Sequence, residues 1–100
     1  MKQWTEHPKA REEFLAEVDR LPVDIAEDFI ERTEKSVLDI LSQPHGWPKV
    51  HYWVEPPTVR WRAIKPFRIR IVYYYHESEV RVIAYAHEAR KPGYWRDRLT

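Results

Sequence analysis

Apolar residues in the first half of the chain recur at helical spacing. Between Pro8 and Leu21 they stand three or four positions apart, which places them on one face of a helix. A second run with this spacing follows the Leu21-Pro22 break, and its members are Ala26, Phe29, Ile30, Thr33, Val37, Leu38 and Leu41. We therefore predict two amphipathic helices joined by a short break, which is an αα-hairpin.

Local signals predict where these helices begin and end. Pro8 can open the first helix because its missing N–H is not needed in the first turn. Asp24, with Glu27 three residues later, resembles a capping box for the second helix. Gln43-Pro44 ends that helix, and Met1–Thr5 ahead of the hairpin predicts a short edge strand.

In the second half the period changes from helical to two. Alternating segments at residues 59–63, 67–75 and 80–87 predict three consecutive antiparallel strands, with a tight turn at 76–79. Alternation pairs Arg60 with Arg62 on one face and Arg68 with Arg70 on one face. We expect the apolar face to pack on the helices and the opposite, open face to carry these arginines.

The predicted fold class is therefore α+β. A short N-terminal strand and a two-helix hairpin precede a mainly antiparallel sheet, and the hairpin packs on one face of that sheet. The length of 100 residues is that of one domain, which we take to span residues 1–100.

Composition excludes several classes of site. The chain has no cysteine, which excludes disulfides and thiolate metal sites and is compatible with a reducing cytosol. Its five histidines lack ligand spacing and it has only two glycines, so we expect no metal, no phosphate-binding loop and no cofactor. The N-terminus lacks an apolar signal segment, and the longest apolar stretch, around Ile69–Tyr75, is too short to span a bilayer. We expect a cytoplasmic protein without a membrane partner.

Charge divides the chain into an acidic half and a basic half. Residues 1–50 hold 7 basic and 11 acidic side chains, a balance of −4. Residues 51–100 hold 10 basic and 5 acidic side chains, a balance of +5, and eight of the ten basic residues are arginine. Because the planar guanidinium suits phosphate and carboxylate recognition, this half predicts a polarised surface that binds anionic groups. The alternative is that these arginines only occupy solvent-exposed strand faces and bind nothing.

Three segments resemble the RelE/ParE toxin superfamily, most closely its ParE-like plasmid-stabilisation members. Lys65-Pro66-Phe67-Arg68-Ile69-Arg70-Ile71-Val72-Tyr73 resembles the third strand of that family, and Val82-Ile83-Ala84-Tyr85-Ala86-His87 resembles its last strand. The ending His87-Glu88-Ala89-Arg90-Lys91-Pro92-Gly93-Tyr94-Trp95 resembles the family's His-x-x-Arg-x-Pro-x-Tyr-Trp motif and is the most specific of the three. The first strand is shorter than the family usually shows.

The resemblance implies the toxin component of a type II toxin-antitoxin system, paired with a cognate antitoxin. Family antitoxins lay an extended segment or a helix across the groove or sheet edge of the toxin. Our first expectation is a ParE-like growth-arrest toxin that acts on DNA gyrase without chemistry of its own. One alternative is a RelE-like, metal-independent endoribonuclease that cleaves mRNA on the ribosome. The other is a non-toxic member that only binds its antitoxin.

Each activity implies its own set of site residues. In the RelE-like case the catalytic residues are His87, Arg68, Arg90 and Tyr94. Contacts to RNA or to another target fall to Arg60, Arg62, Arg70, Arg81 and Trp95. The lysine pair of the RelE branch is not reproduced, and Arg60 and Arg62 are its nearest counterparts.

Structural roles compete with these assignments. His87 at a strand end can instead bond the backbone and hold the tail, and Tyr94 and Trp95 can fold back as core plugs. Arg68 and Arg70 can pair with Glu77 or Glu79 on a solvated face. Trp47, Trp53 and Trp61 can form an aromatic surface for a partner or pack at the core or edge.

Overall fold

The computed structural model describes residues 3–99 and places two helices against one face of a four-stranded mixed sheet. Its elements in chain order are β1 (Gln3–Glu6), α1 (Pro8–Arg20), α2 (Val23–Ser42), β2 (Val59–Ile64), β3 (Ile69–His76), β4 (Glu79–His87) and a final 3₁₀ turn (Arg96–Leu99). The sheet order is β1-β4-β3-β2, with β1 parallel to β4 and the other two pairs antiparallel. The predicted α+β class, helix pair and antiparallel meander are confirmed. Met1 and part of the predicted edge strand lie outside the described residues.

One predicted helix start is confirmed and the other is wrong. Pro8 opens α1, and the Nδ1 atom of His7 caps it by accepting a hydrogen bond from the Lys9 backbone N–H at 3.1 Å. α2 begins earlier than the predicted capping box, directly after Pro22, and its N-terminus has no side-chain cap. Asp24 therefore lies inside the first turn, where its carboxylate still interacts favourably with the helix dipole.

The larger core lies between the helices and the sheet. It joins one stripe of each helix to alternate residues of the strands, and its largest buried side chains are Phe29, Ile40, Ile64, Ile71, Tyr73, Val80 and Val82. Tyr73 is fully buried, and its hydroxyl donates a hydrogen bond to the Pro44 carbonyl at 2.7 Å. This bond ties the end of α2 to the centre of the sheet.

The opposite face of the sheet is covered, so the prediction of an open face is wrong. The loop between α2 and β2 and the C-terminal tail (residues 88–99) pack on it and form a second core. The buried members of this core are Val50, Val59, Val72, Ile83, Ala84 and Trp95. The loop also pairs with the outer edge of β2 through the hydrogen bonds from Val50 N to Val59 O and from Trp61 N to Pro48 O.

The two arginines of β2 face the helices rather than the tail. Ile64 belongs to the larger core and Val59 to the second, so the even-numbered residues of β2, Arg60 and Arg62, point to the helix side. The predicted placement of Arg60 and Arg62 on the open face is therefore wrong. The alternation itself is correct, but both faces of β2 carry bulky side chains, and the apolar set packs under the tail.

Arg68 does not share a strand face with Arg70. β3 begins at Ile69, and Arg68 stands in the preceding turn with a positive φ of 57°. That backbone conformation removes Arg68 from the period-two pattern.

A β-bulge changes the alternation within β4. Tyr73 pairs with Val82 and Val72 pairs with Ala84, which leaves Ile83 without a partner on β3. Val82 packs on the helix side, whereas Ala84 packs in the second core. The alternation predicted for residues 80–87 is therefore correct only up to the bulge.

The hairpin between β3 and β4 is the predicted tight turn. His76 pairs with Glu79, so only two residues form the loop. Both have positive φ, 49° at Glu77 and 65° at Ser78, as in a type I′ turn.

Candidate functional site

A groove opens between the C-terminal tail and the sheet face that the tail covers. We call it the tail groove; its volume is about 390 Å³. Its charged and polar lining comes from the β3 and β4 ends, the tail and the α2–β2 loop, and comprises His51, Tyr52, Arg70, His87, Glu88, Arg90, Lys91 and Tyr94. Cationic side chains outnumber Glu88, the one carboxylate among the lining residues, so the groove is suited to an anionic ligand.

The tail groove brings together five of the nine site residues predicted from the sequence. The five are Arg70, His87, Arg90, Tyr94 and Trp95. Arg70 reaches the groove from β3 because its neighbour in the register is Ala86, the residue before His87 on β4. The tail motif turns at Pro92-Gly93, where Gly93 has φ +78°, and returns Tyr94 to the groove wall.

Two arginines of the groove are held by aromatic rings. The Arg70 guanidinium lies 4.0 Å from the centroid of the Trp61 ring, and the Arg90 guanidinium lies 3.9 Å from that of Tyr94. Among residues 3–99, neither guanidinium forms an ion pair with a carboxylate. Stacking fixes each group through its face and leaves its N–H edge to donate to a ligand.

His87 holds the start of the tail. The side chain is exposed at the end of β4, and its Nδ1 atom accepts a hydrogen bond from the Ala89 backbone N–H at 3.1 Å. A nitrogen that accepts this bond carries no proton, so the neutral ring has its proton on Nε2. His87 therefore plays the structural role considered above and leaves Nε2–H as a donor.

The Tyr94 hydroxyl is engaged outside the groove. It donates a hydrogen bond to the Oε2 atom of Glu13 on α1 at 2.6 Å. Burial, together with this bond to a carboxylate, raises the pKa of Tyr94. The phenol is therefore a poor proton donor to a substrate, and its ring serves as the platform for Arg90.

Trp95 is buried and has no free face for a ligand. It is 1% exposed and lies 5.9 Å from the Trp53 ring and 6.4 Å from the Tyr52 ring, measured between centroids. This is the core-plug position rather than a base-stacking position. The exposed aromatic residue at the groove is Tyr52, which sequence reasoning missed because it stands in a loop without periodicity.

Arg60 and Arg62 interact with the C-terminal end of α2 and the loop that follows it. Arg60 donates to the Trp47 carbonyl at 2.8 Å, and Arg62 pairs with Asp39 at 2.8 Å while lying 4.5 Å from the centroid of the Trp47 ring. These bonds hold the loop against β2. Both arginines therefore have a structural role on the helix side of the sheet, and neither lines the tail groove.

Arg68 and Arg81 also lie outside the groove lining. The Arg68 carbonyl accepts a hydrogen bond from Glu88 N at 2.9 Å, which places its backbone beside the start of the tail. Arg81 stands near the hairpin turn and donates to Glu79 at 2.7 Å and to the Tyr74 hydroxyl at 3.3 Å. The expected pairing of Arg68 or Arg70 with Glu77 or Glu79 is absent among the described residues.

Among residues 3–99, His, Asp and Glu side chains form no cluster of three that could bind a metal ion. In the same part of the chain, no helix has the length and apolarity needed to cross a bilayer. No family model matches the chain, and no curated protein matches it.

Proposed function

We propose that this chain is the toxin of a type II toxin-antitoxin system, with a RelE/ParE-type fold and a cytoplasmic site of action. The proposal rests on the tail motif and on the order of one short strand, two helices and a three-stranded meander. We further propose that it arrests growth by binding DNA gyrase through the tail groove, without chemistry of its own.

One observation favours binding over catalysis. The two groups best suited to proton transfer are both restricted: His87 Nδ1 accepts from the Ala89 N–H, which leaves only Nε2 for a ligand, and the Tyr94 hydroxyl donates to Glu13. Arg70 and Arg90 keep their donor edges available, but arginine neither accepts nor releases a proton at neutral pH. The groove therefore offers fixed cationic donors, which suit recognition of an acidic surface.

Induced expression followed by a supercoiling assay with purified gyrase tests this function. We expect growth arrest and inhibition of supercoiling. Arg90→Ala should abolish the arrest and raise the concentration needed for half-inhibition well above that of the unaltered protein. Arg70→Ala removes the other stacked arginine of the groove and should also abolish arrest without unfolding the protein. Arg32→Ala is the matched control, because Arg32 is an exposed arginine that pairs with Asp28 within α2. Unchanged arrest in both the Arg70 and Arg90 variants would refute the arginine assignment.

The RelE-like alternative has its own support, which is the convergence of Arg70, His87 and Arg90 on one groove. Cationic donors around a histidine could stabilise the charge that develops on a cleaved phosphodiester. Primer extension on an mRNA translated in a purified system distinguishes the two activities. Cuts at ribosome-positioned codons that vanish with His87→Ala would favour the nuclease over gyrase binding.

A second groove supports the proposal of an antitoxin partner. It lies between the helices and β1, has a volume of about 420 Å³, and is lined mainly by Trp4, Phe14, Ile30, Val37, Leu38 and Leu41. Trp4 is 40% exposed and Leu38 is 59% exposed. Covering such surface stabilises the folded state by mass action, so the product of the neighbouring gene should raise the melting temperature. An unmoved melting temperature would exclude that product as the antitoxin.

Expression also tests the third possibility, a non-toxic member that only binds its antitoxin. Unimpaired growth, together with a raised melting temperature in the presence of the neighbouring gene product, would identify such a protein.

A further inference from the structure

Glu13 is the hub of a polar network that joins α1 to the tail. Its carboxylate accepts hydrogen bonds from the Tyr94 hydroxyl at 2.6 Å, from Arg98 Nη1 at 2.9 Å and from the Tyr85 backbone N–H at 3.1 Å. Side chains of both partners in the ion pair are largely buried, 9% exposed for Arg98 and 17% for Glu13.

The sheet explains why a helix side chain is needed there. β1 pairs with β4 only as far as Val82, so the β4 backbone beyond that point has no strand neighbour on this side. Glu13 accepts from Tyr85 N, and Arg98 donates to the Ile83 carbonyl at 2.9 Å. The ion pair thus satisfies buried backbone groups at the bulge, where leaving them unpaired would be costly.

The same carboxylate fixes the platform of a groove arginine. The Tyr94 ring is held from one end by its hydroxyl bond to Glu13, and Arg90 stacks on this ring at 3.9 Å. Arg98, which Glu13 also holds, lies 5.1 Å from the centroid of the same ring. A chain of contacts therefore runs from Glu13 through Tyr94 to Arg90, although Glu13 does not line the groove.

We propose that Glu13 is a positioning residue for the tail groove: by holding the Tyr94 ring it sets the place of the Arg90 guanidinium. Arg70 has an independent platform, Trp61, on the sheet. The consequence of this role for activity rests on the proposed function, whereas the positioning itself does not.

The test is an NMR comparison of the two arginine side chains. A proton above an aromatic ring is shifted upfield, so both Arg90 and Arg70 should show such shifts in the unaltered protein. In Glu13→Ala we expect the Arg90 shift to be lost and the Arg70 shift to be retained. Glu12→Ala, an exposed neighbour on α1, is the matched control and should change neither. Glu13→Gln keeps one acceptor oxygen and should restore the Arg90 shift at least in part.

Tyr94→Phe provides a second test of the proposal if Glu13→Ala fails to fold. This variant retains the ring and removes only the hydroxyl bond to Glu13, so the Arg90 shift should fall while the fold persists. An unchanged Arg90 shift in a folded Glu13→Ala protein, or in Tyr94→Phe, would overturn the proposal.

Gyrase inhibition forms a separate arm of the experiment. We expect Glu13→Ala to raise the concentration needed for half-inhibition by roughly tenfold, and to have no further effect in an Arg90→Ala background, because coupled residues are not additive. Additive losses would assign Glu13 a general structural role and overturn the proposal. If the unaltered protein does not inhibit gyrase, the proposed function fails, and the NMR arm still decides the role of Glu13.

Discussion

The two faces of the sheet use arginine in opposite ways. On the helix side, Arg62 pairs with Asp39 and lies on the Trp47 ring, so its charge and its face are both used within the fold. On the tail side, Arg70 and Arg90 lie on Trp61 and Tyr94 without a carboxylate partner within residues 3–99. An aromatic neighbour is common to both faces, and the presence or absence of an acid separates a structural arginine from one available to a ligand.

The faces also differ in how their covers are attached. The helix side is covered by two long elements that contribute a continuous apolar stripe. The tail side is covered by irregular chain, anchored by one large plug, Trp95, and by the Glu13–Arg98 pair. The second core therefore depends on a few contacts, and variants at those contacts test whether it is a true core.

The largest expected effect comes from removing the plug. Trp95→Ala should lower the free energy of unfolding by about 3–5 kcal/mol, as large-to-small changes at fully buried aromatics do. Phe29→Ala, its counterpart in the larger core, should cost a similar amount. Denaturant unfolding measures both. If Trp95→Ala alone lost less than about 1 kcal/mol in the free energy of unfolding, the tail would be only loosely docked on the sheet.

Breaking the ion pair under the tail ranks second. Arg98→Met keeps an unbranched side chain but removes the donors to Glu13 and to the Ile83 carbonyl, leaving both with fewer partners. We expect a loss of about 2–3 kcal/mol in the free energy of unfolding. Arg96→Met, on the same 3₁₀ turn but exposed, is the control. Equal losses from the two variants would contradict a specific role for Arg98.

High pH should weaken the helix side through Tyr73. Burial raises the pKa of Tyr73 to about 12, above the ordinary value of about 10. Folding favours the neutral phenol, so this contribution is complete below pH 10 and is lost as the pH rises towards 12. The share of Tyr73 in the fall of the free energy of unfolding should be about 1–2 kcal/mol over that window. Burial also raises the pKa of Tyr85 and of Tyr94, so both add to the total fall. Urea unfolding at each pH should show a shallower fall in the free energy of unfolding for Tyr73→Phe than for the unaltered protein. An equal fall in both proteins would mean that Tyr73 is not the group responsible.

The smallest expected effect is that of the ion pair on the helix side. The Arg62 side chain is 24% exposed and that of Asp39 is 35% exposed, so water screens their interaction. Asp39→Asn should therefore cost about 0.5–1 kcal/mol, less than Arg98→Met under the tail. Raising the salt concentration should reduce the loss for Asp39→Asn and leave that for Arg98→Met largely unchanged, which widens the difference between the two variants. A larger loss for Asp39→Asn than for Arg98→Met would reverse the comparison.

Periodicity predicted most of the fold because each helix buries one regular face and β3 keeps its alternation along its whole length. It failed where regularity failed. The bulge at Ile83 exchanges the faces of β4 midway, and a positive φ removes Arg68 from its strand. In β2 the alternation is regular but ambiguous, because Val59, Trp61 and Ala63 on one face and Arg60 and Arg62 on the other all have long or apolar side chains that can be covered. No single strand pattern says which face the helices will take.

The site was predicted in part for the same reasons. Arg70, His87 and Arg90 could be grouped because a strand end and a tail motif bring them together. Glu13 could not, because a glutamate on an amphipathic helix is ordinarily solvated. A weak signal was present: Glu13 stands three residues after the fully buried Ala10 and directly before Phe14, at the border of the buried stripe. Its partners come from the tail, and no local pattern specifies them.

The hairpin turn at Glu77-Ser78 offers a route to engineering the rest of the molecule. Both positions hold a left-handed backbone that Asn-Gly adopts with less strain, and neither side chain reaches the tail groove. Six strand residues, or about 20 Å, separate this turn from Arg70. Glu77→Asn together with Ser78→Gly should therefore raise the free energy of unfolding without changing the groove. In such a background, replacements at Glu13, Trp95 or Arg98 could be studied in a protein that stays folded.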